Sequence, residues 1–106
     1  MVFVELTPFI AFRTEHWSDD DLRKLQNFLL VTPDAGDVMP GSFGLRKLRW
    51  AAKGRGKRGG TRVIYYRYVP EDRMYLIYAY LKTKQDDLTR EQLKVLTQLM
   101  KEIKRG

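Results

Sequence analysis

The chain of 106 residues contains no cysteine and a single histidine, His16. Disulfides, thiolate metal sites and cysteine nucleophiles are thereby excluded, and no second imidazole exists for a zinc site or a two-histidine ribonuclease. Long apolar runs are missing too. The longest covers residues 74–81, far short of the roughly 20 residues that span a bilayer. No basic-then-apolar signal pattern opens the chain, so a soluble, cytoplasmic protein is expected. The most informative absence is of acid: residues 38–70 hold nine Lys and Arg and no Asp or Glu.

A composition that is 43% hydrophobic and 12% aromatic can build a core and argues against disorder. The length suits one domain over residues 1–106. The net charge of +7 is uneven, with balances of −4 over residues 1–37, +9 over 38–70 and +2 over 71–106. A middle third without acid creates a local positive field, whose usual partners are phosphates. A basic surface kept only for solubility usually mixes both signs.

The pattern predicts an α+β protein in the order β-α-α-β-β-β-α. Residues 2–6 form a β-branched and aromatic run ended by Thr7-Pro8, a first strand. A short helix follows over residues 8–16, with proline in its first turn. Ser18 is a good N-cap for a second helix, and Asp19, Asp20 and Asp21 suit the positive end of its dipole. Leu22, Leu25 and Leu29 continue it at helical spacing until Thr32-Pro33 stops it near Val31. Residues 33–44 read as a loop. Residues 44–52 read as a strand whose imperfect alternation suggests a bulge. Two strong strands, 61–69 and 74–82, form an antiparallel hairpin about the turn at residues 70–73. Thr89 to Gln92 matches a capping box, and Leu93, Leu96, Met100 and Ile103 line one face of a last helix. A small, mainly antiparallel twisted sheet with helices packed against it is the expected architecture.

Residues 53–60, Lys-Gly-Arg-Gly-Lys-Arg-Gly-Gly, alternate cations with glycines, which let a backbone approach a phosphate chain closely. No Gly-Lys-Ser/Thr ending is present, so this is not a Walker A loop. It leads into a strand, so it is not a dinucleotide fingerprint. Arg62 follows directly. By strand alternation Arg62, Ile64, Tyr66 and Tyr68 share one face, and Thr61, Val63, Tyr65, Arg67 and Val69 the other. With Arg46, Lys47 and Arg49 on the preceding strand and Lys82 and Lys84 closing the last one, neighbouring strand ends would gather a cationic cleft.

Three segments together, Gly-Leu-Arg-Lys at 44–47, Gly-Lys-Arg-Gly-Gly at 56–60 and Arg-Val-Ile-Tyr-Tyr at 62–66, resemble the HigB branch of the RelE/HigB toxin family. The resemblance runs in order through nearly the whole chain. It implies the microbial-ribonuclease-like fold of the same element order. It implies a type II toxin that enters the ribosomal A site and cleaves translated mRNA without a metal or other cofactor. It also implies a cognate antitoxin whose complex with the toxin represses the operon, so that operator DNA is met only through that complex. By motif, Arg62 stands where the family's strand arginine stabilises the reacting phosphate. Lys53, Lys57 and Arg58 fall in its basic loop, and Lys82 and Lys84 in its last-strand cationic segment. This chain has Leu81 where members often have glycine. It has Thr89, read here as a helix cap, near where some have a base-stacking tyrosine.

The inventory suits RNA cleavage by the substrate's own 2′-hydroxyl. Fixed cations stabilise the charge that gathers on phosphoryl oxygens, and an arginine fork fits them. Crowding by other cations disfavours a charged lysine, which makes a lysine of the basic loop the expected general base. The candidate catalytic residues are Arg62, Lys53, Lys57, Lys82 and Lys84, and the candidate RNA-binding residues are Arg46, Lys47, Arg49, Arg55 and Arg58. His16 reads as structural, Asp19 to Asp21 as helix-start residues, and most tyrosines as core or sheet surface, with one or two left for bases. The alternative function class is a non-catalytic nucleic-acid-binding module, or an inactive toxin-fold protein acting in operon repression.

Overall fold

A computed structural model describes residues 1–50 and 60–105. Among the described residues the elements follow in the order β1 (Val2–Glu5), α1 (Thr7–His16), α2 (Asp19–Val31), β2 (Asp37–Val38), β3 (Arg46–Trp50), β4 (Thr61–Tyr68), β5 (Arg73–Leu81) and α3 (Arg90–Arg105). A single 3-10 turn at Val69–Glu71 joins β4 to β5. The strands form one sheet in the order β1-β5-β4-β3-β2. β1 runs parallel to β5, and the other neighbours are antiparallel.

Local chemistry starts the helices as the sequence indicates. The Asp21 N–H donates to Ser18 Oγ at 3.1 Å and the Ser18 N–H to the Asp21 carboxylate at 3.0 Å, a reciprocal cap on α2. Thr89 and Gln92 repeat the arrangement at the head of α3, with both bonds at 3.0 Å. These bonds satisfy backbone donors that a helix start otherwise leaves unmade.

Each face of the sheet has its own core. Phe9, Leu25 and Leu29 of α1 and α2 pack with Leu48, Val63, Tyr65, Met74, Leu76 and Ala79 on one face. Leu96 and Met100 of α3 pack with Met39, Leu45, Ile64, Tyr75, Ile77 and Tyr80 on the other. A sheet covered on both faces explains why β4 and β5 carry nearly continuous apolar runs and not clean alternation.

Two features differ from the sequence reading. The stretch expected to be a loop contains β2, two residues long, paired as Asp37↔Lys47 and Val38↔Arg46. So short a strand carries no periodicity of its own and exists through pairing with β3. The bulge expected in residues 44–52 lies elsewhere. The pairing of β3 with β4 is unbroken from Arg46↔Tyr65 to Trp50↔Thr61. The shift falls between β4 and β5, where Ile64 faces Tyr78 but Tyr65 faces Leu76. Ile77 is the extra residue, and it and Tyr78 both pack toward the α3 side. The β5 run feeds both cores, and the bulge changes its phase part-way.

Gly44 marks the entry to β3. Its φ of +104° suits glycine, and a Cβ there would meet the Tyr66 ring at 3.2 Å. The strand thus begins where the chain can turn sharply under a tyrosine of β4.

Candidate functional site

At one end of the sheet β3 leaves, β4 enters and β5 leaves. The register puts Arg49, Arg62 and Tyr80 in one row across these strands. Lys47 lies two residues before Arg49, so by alternation it shares that face, which is the α3 side. Beyond β5 the chain turns through backbone bonds from the Lys84 N–H and the Gln85 N–H to the Leu81 carbonyl, at 2.9 and 3.2 Å. The Lys82 N–H meets the Gly60 carbonyl at 3.1 Å. These constraints bring Lys47, Arg49, Arg62 and Lys82 to the walls of one pocket of about 320 Å³.

Three carboxylates share its walls: Asp37, Asp86 and Asp87. Asp87 is the best connected. Its Oδ1 accepts from Lys47 Nζ at 3.2 Å, from its neighbour's Leu88 N–H at 2.8 Å and from the Tyr80 hydroxyl at 3.5 Å. Lys82 Nζ donates to the Asp86 carbonyl at 3.2 Å and pairs with its carboxylate at 3.5 Å. Gln85 Nε2 reaches the Asp87 carbonyl at 2.8 Å and Gln92 Oε1 at 3.0 Å, tying this turn to the head of α3.

The environment sets the protonation of two of these groups. The Leu88 N–H, with Lys47 adding to it against the cost of burial, holds the Asp87 carboxyl below the usual carboxylate range. Burial pushes the Tyr80 phenol up to about 12; the Asp87 charge adds to that shift and the Arg62 charge opposes it. At neutral pH the pair is therefore a carboxylate facing an intact O–H donor. Arg62 itself is 9% exposed, set into the sheet with its charge acting on Tyr80.

Of the residues singled out from the sequence, Lys47, Arg49, Arg62 and Lys82 come together here. Lys84 is exposed on the turn after β5 and is not among the pocket walls. Arg46 points to the opposite face, opposite Tyr65 in the register. There it donates to the Gly36 carbonyl at 2.7 Å and pairs with Asp34 at 3.6 Å, bonds that hold the chain ahead of β2. Lys53, Arg55, Lys57 and Arg58 lie outside the described residues. Sequence reasoning gave no site role to Asp37, Asp86 or Asp87, and took Tyr80 only as one of six tyrosines for core, sheet surface or base stacking. The adjacent acids just past the last strand were a visible signal, while Asp37 needed its pairing with Lys47 to be placed.

The remaining candidates settle away from the pocket, except Tyr80, which backs it through Asp87. His16 stacks on Phe12 with ring centroids 4.6 Å apart and pairs with Glu15 at 3.1 Å. Tyr65, Tyr75 and Tyr80 are buried, and Tyr66, Tyr68 and Tyr78 are half-buried. Among the described residues no cluster of three or more His, Asp or Glu side chains could hold a metal ion, and no helix is long and apolar enough to cross a membrane. The pocket sets four cations against three carboxylates, two of which pair with Lys47 and Lys82, and its guanidinium and ammonium groups are a setting for phosphate oxygens. A family model described as the RelE toxin of the RelE / RelB toxin-antitoxin system matches residues 34–105, a span that includes every residue of the pocket walls.

Proposed function

The chain belongs to the RelE toxin family of toxin–antitoxin systems, and from that premise we propose that it is a ribosome-dependent endoribonuclease that cuts translated mRNA and so stops translation. The observation that carries this reading is the meeting of Lys47, Arg49, Arg62 and Lys82 in one pocket. In the proposed reaction the RNA 2′-hydroxyl attacks the adjacent phosphorus. Its proton passes to a base, the bond to the 5′-oxygen breaks, and that oxygen takes up a proton. The products are a 2′,3′-cyclic phosphate and a 5′-hydroxyl, with no metal ion or redox partner required.

Arg62 is assigned to the phosphoryl oxygens, where charge grows in the transition state. Lys82 assists from the end of β5, and Lys47 and Arg49 guide the RNA backbone together with Arg55 and Arg58; Lys84, outside the pocket walls, and Arg46, held on the far face, take no part in the reaction. Neither Asp87 nor Tyr80 has a pKa near neutrality, so neither is matched to general-base work. That role is assigned to a lysine of the basic loop, Lys53 or Lys57. A cognate antitoxin is the partner that membership of the family brings. Operator DNA would be reached through the complex with it, in the cytoplasm.

Primer extension on mRNA in a translating extract tests the reading. Added protein is expected to produce cuts at codon boundaries, and folded Arg62→Ala to produce none. Uncut transcripts in the presence of folded wild-type protein would leave a non-catalytic nucleic-acid-binding module acting in repression.

A further inference from the structure

Asp87 is the acid that links the walls of the pocket. It sits past the end of β5, yet a single oxygen of its carboxylate meets Lys47 of β3 at 3.2 Å and Tyr80 of β5 at 3.5 Å. The same oxygen is fixed by the Leu88 N–H at 2.8 Å. A lysine carries its charge on a flexible four-carbon stem with three rotatable donors, so Lys47 has no fixed direction without such an anchor. Tyr80 in turn stands beside Arg62 in the register. Through these contacts Asp87 bears on the cation of one strand and on the neighbour of the arginine in the next.

We propose that Asp87 is a positioning residue of the RNA pocket, braced from below by the buried Tyr80 hydroxyl and holding the Lys47 ammonium where it meets the reacting nucleotide beside Arg62. The proposal rests on the nuclease reading above and adds to it a residue that does not itself exchange protons with the substrate. Small misplacements of positioned groups cost rate more than binding, so the signature is in turnover.

The test compares wild type, Asp87→Asn, Asp87→Ala, Lys47→Met and the double variant Lys47→Met/Asp87→Ala. Cleavage is read by single-turnover kinetics on mRNA in a translating extract, and folding by thermal unfolding. Binding is read with a 2′-O-methyl oligoribonucleotide, which lacks the attacking hydroxyl. Asp87→Ala is expected to slow cleavage by about 10–100-fold while changing affinity for that probe by about threefold or less. Asp87→Asn keeps an acceptor for the Leu88 N–H and loses the charge facing Lys47, and it is expected to lie between. In the Lys47→Met background, Asp87→Ala is expected to cost clearly less than it does alone, the mark of two groups acting together. An equal cost in both backgrounds, or wild-type cleavage rates for folded Asp87→Asn and Asp87→Ala, would overturn the proposal while leaving the nuclease reading intact. If Asp87→Ala fails to fold, Asp87→Asn decides the matter. Wild-type protein that leaves every transcript uncut overturns the nuclease reading, and the role of Asp87 in it falls with that reading.

Discussion

Arg62 combines burial with charge. At 9% exposed it is held by the strands around it, which spares it the ordering cost a surface arginine meets on gripping a phosphate. Replacing it by alanine is expected to slow cleavage by about 10²–10³-fold, the usual loss for one donor aimed at developing negative charge. Arg62→Lys keeps the charge but loses the planar fork, and should recover only part of that rate in the same assay. Circular dichroism separates either effect from loss of fold. Tyr80 gives a second prediction at this scale. Its folded pKa of about 12 lies above the ordinary 10.0. Its contribution to stability is therefore full below pH 10 and is lost as pH rises through 12, because the unfolded chain releases the proton first. Tyr65 and Tyr66 are raised as well, both chiefly by burial, so they share the alkaline decline. Tyr80→Phe should flatten that decline in part, as read by thermal unfolding across alkaline pH.

The elements contribute through their ends. The cap at Thr89 starts α3, and Gln92 of the same turn also reaches Tyr78 at 3.2 Å and Gln85 at 3.0 Å. Thr89→Ala is expected to destabilise the protein by about 1 kcal/mol in urea unfolding. The junction before β2 is tighter. The Gly36 N–H donates to the Tyr65 hydroxyl at 2.8 Å, and that hydroxyl donates to the Pro33 carbonyl at 3.0 Å. A Cβ on Gly36 would stand 2.9 Å from the Tyr65 ring and 3.0 Å from the Lys47 carbonyl. Gly36→Ala should therefore cost about 1–3 kcal/mol, as overfilled cores do, measured by the same unfolding. The helices were legible because their signals are local: Ser18 with Asp21, Thr89 with Gln92, and Leu96 with Met100 on one stripe. β2 and the bulge at Ile77 were not, because both depend on which strand lies alongside.

Over the whole molecule, the charge asymmetry is a property of the chain, while the meeting of Lys47, Arg49, Arg62 and Lys82 in one hollow is a property of the fold. Binding of single-stranded RNA is expected to weaken with salt, the log–log slope falling by about 0.7 for each phosphate neutralised. Arg49→Ala, which removes one cation from the pocket, should make that slope shallower by about 0.7, as measured by fluorescence anisotropy over a salt series. A slope unchanged by Arg49→Ala would mean that Arg49 makes no phosphate contact. Arg46 marks the limit of reading such roles from a strand. It lies one residue from Lys47, yet its guanidinium serves Gly36 and Asp34 on the far face, because successive side chains on a strand point to opposite faces.

By itself the sequence determined the family, the order of the elements other than β2, the helix starts and the surplus of cations, since each of these is written in neighbouring residues or in composition. Only the tertiary structure decided which cations share a pocket and that Asp37, Asp86 and Asp87 stand among them. It also decided that Asp87 ties Lys47 to Tyr80. Those relations join residues 40 and 7 positions apart, and such distances in sequence become contacts only when strand pairing, register and the turn after β5 have set them side by side.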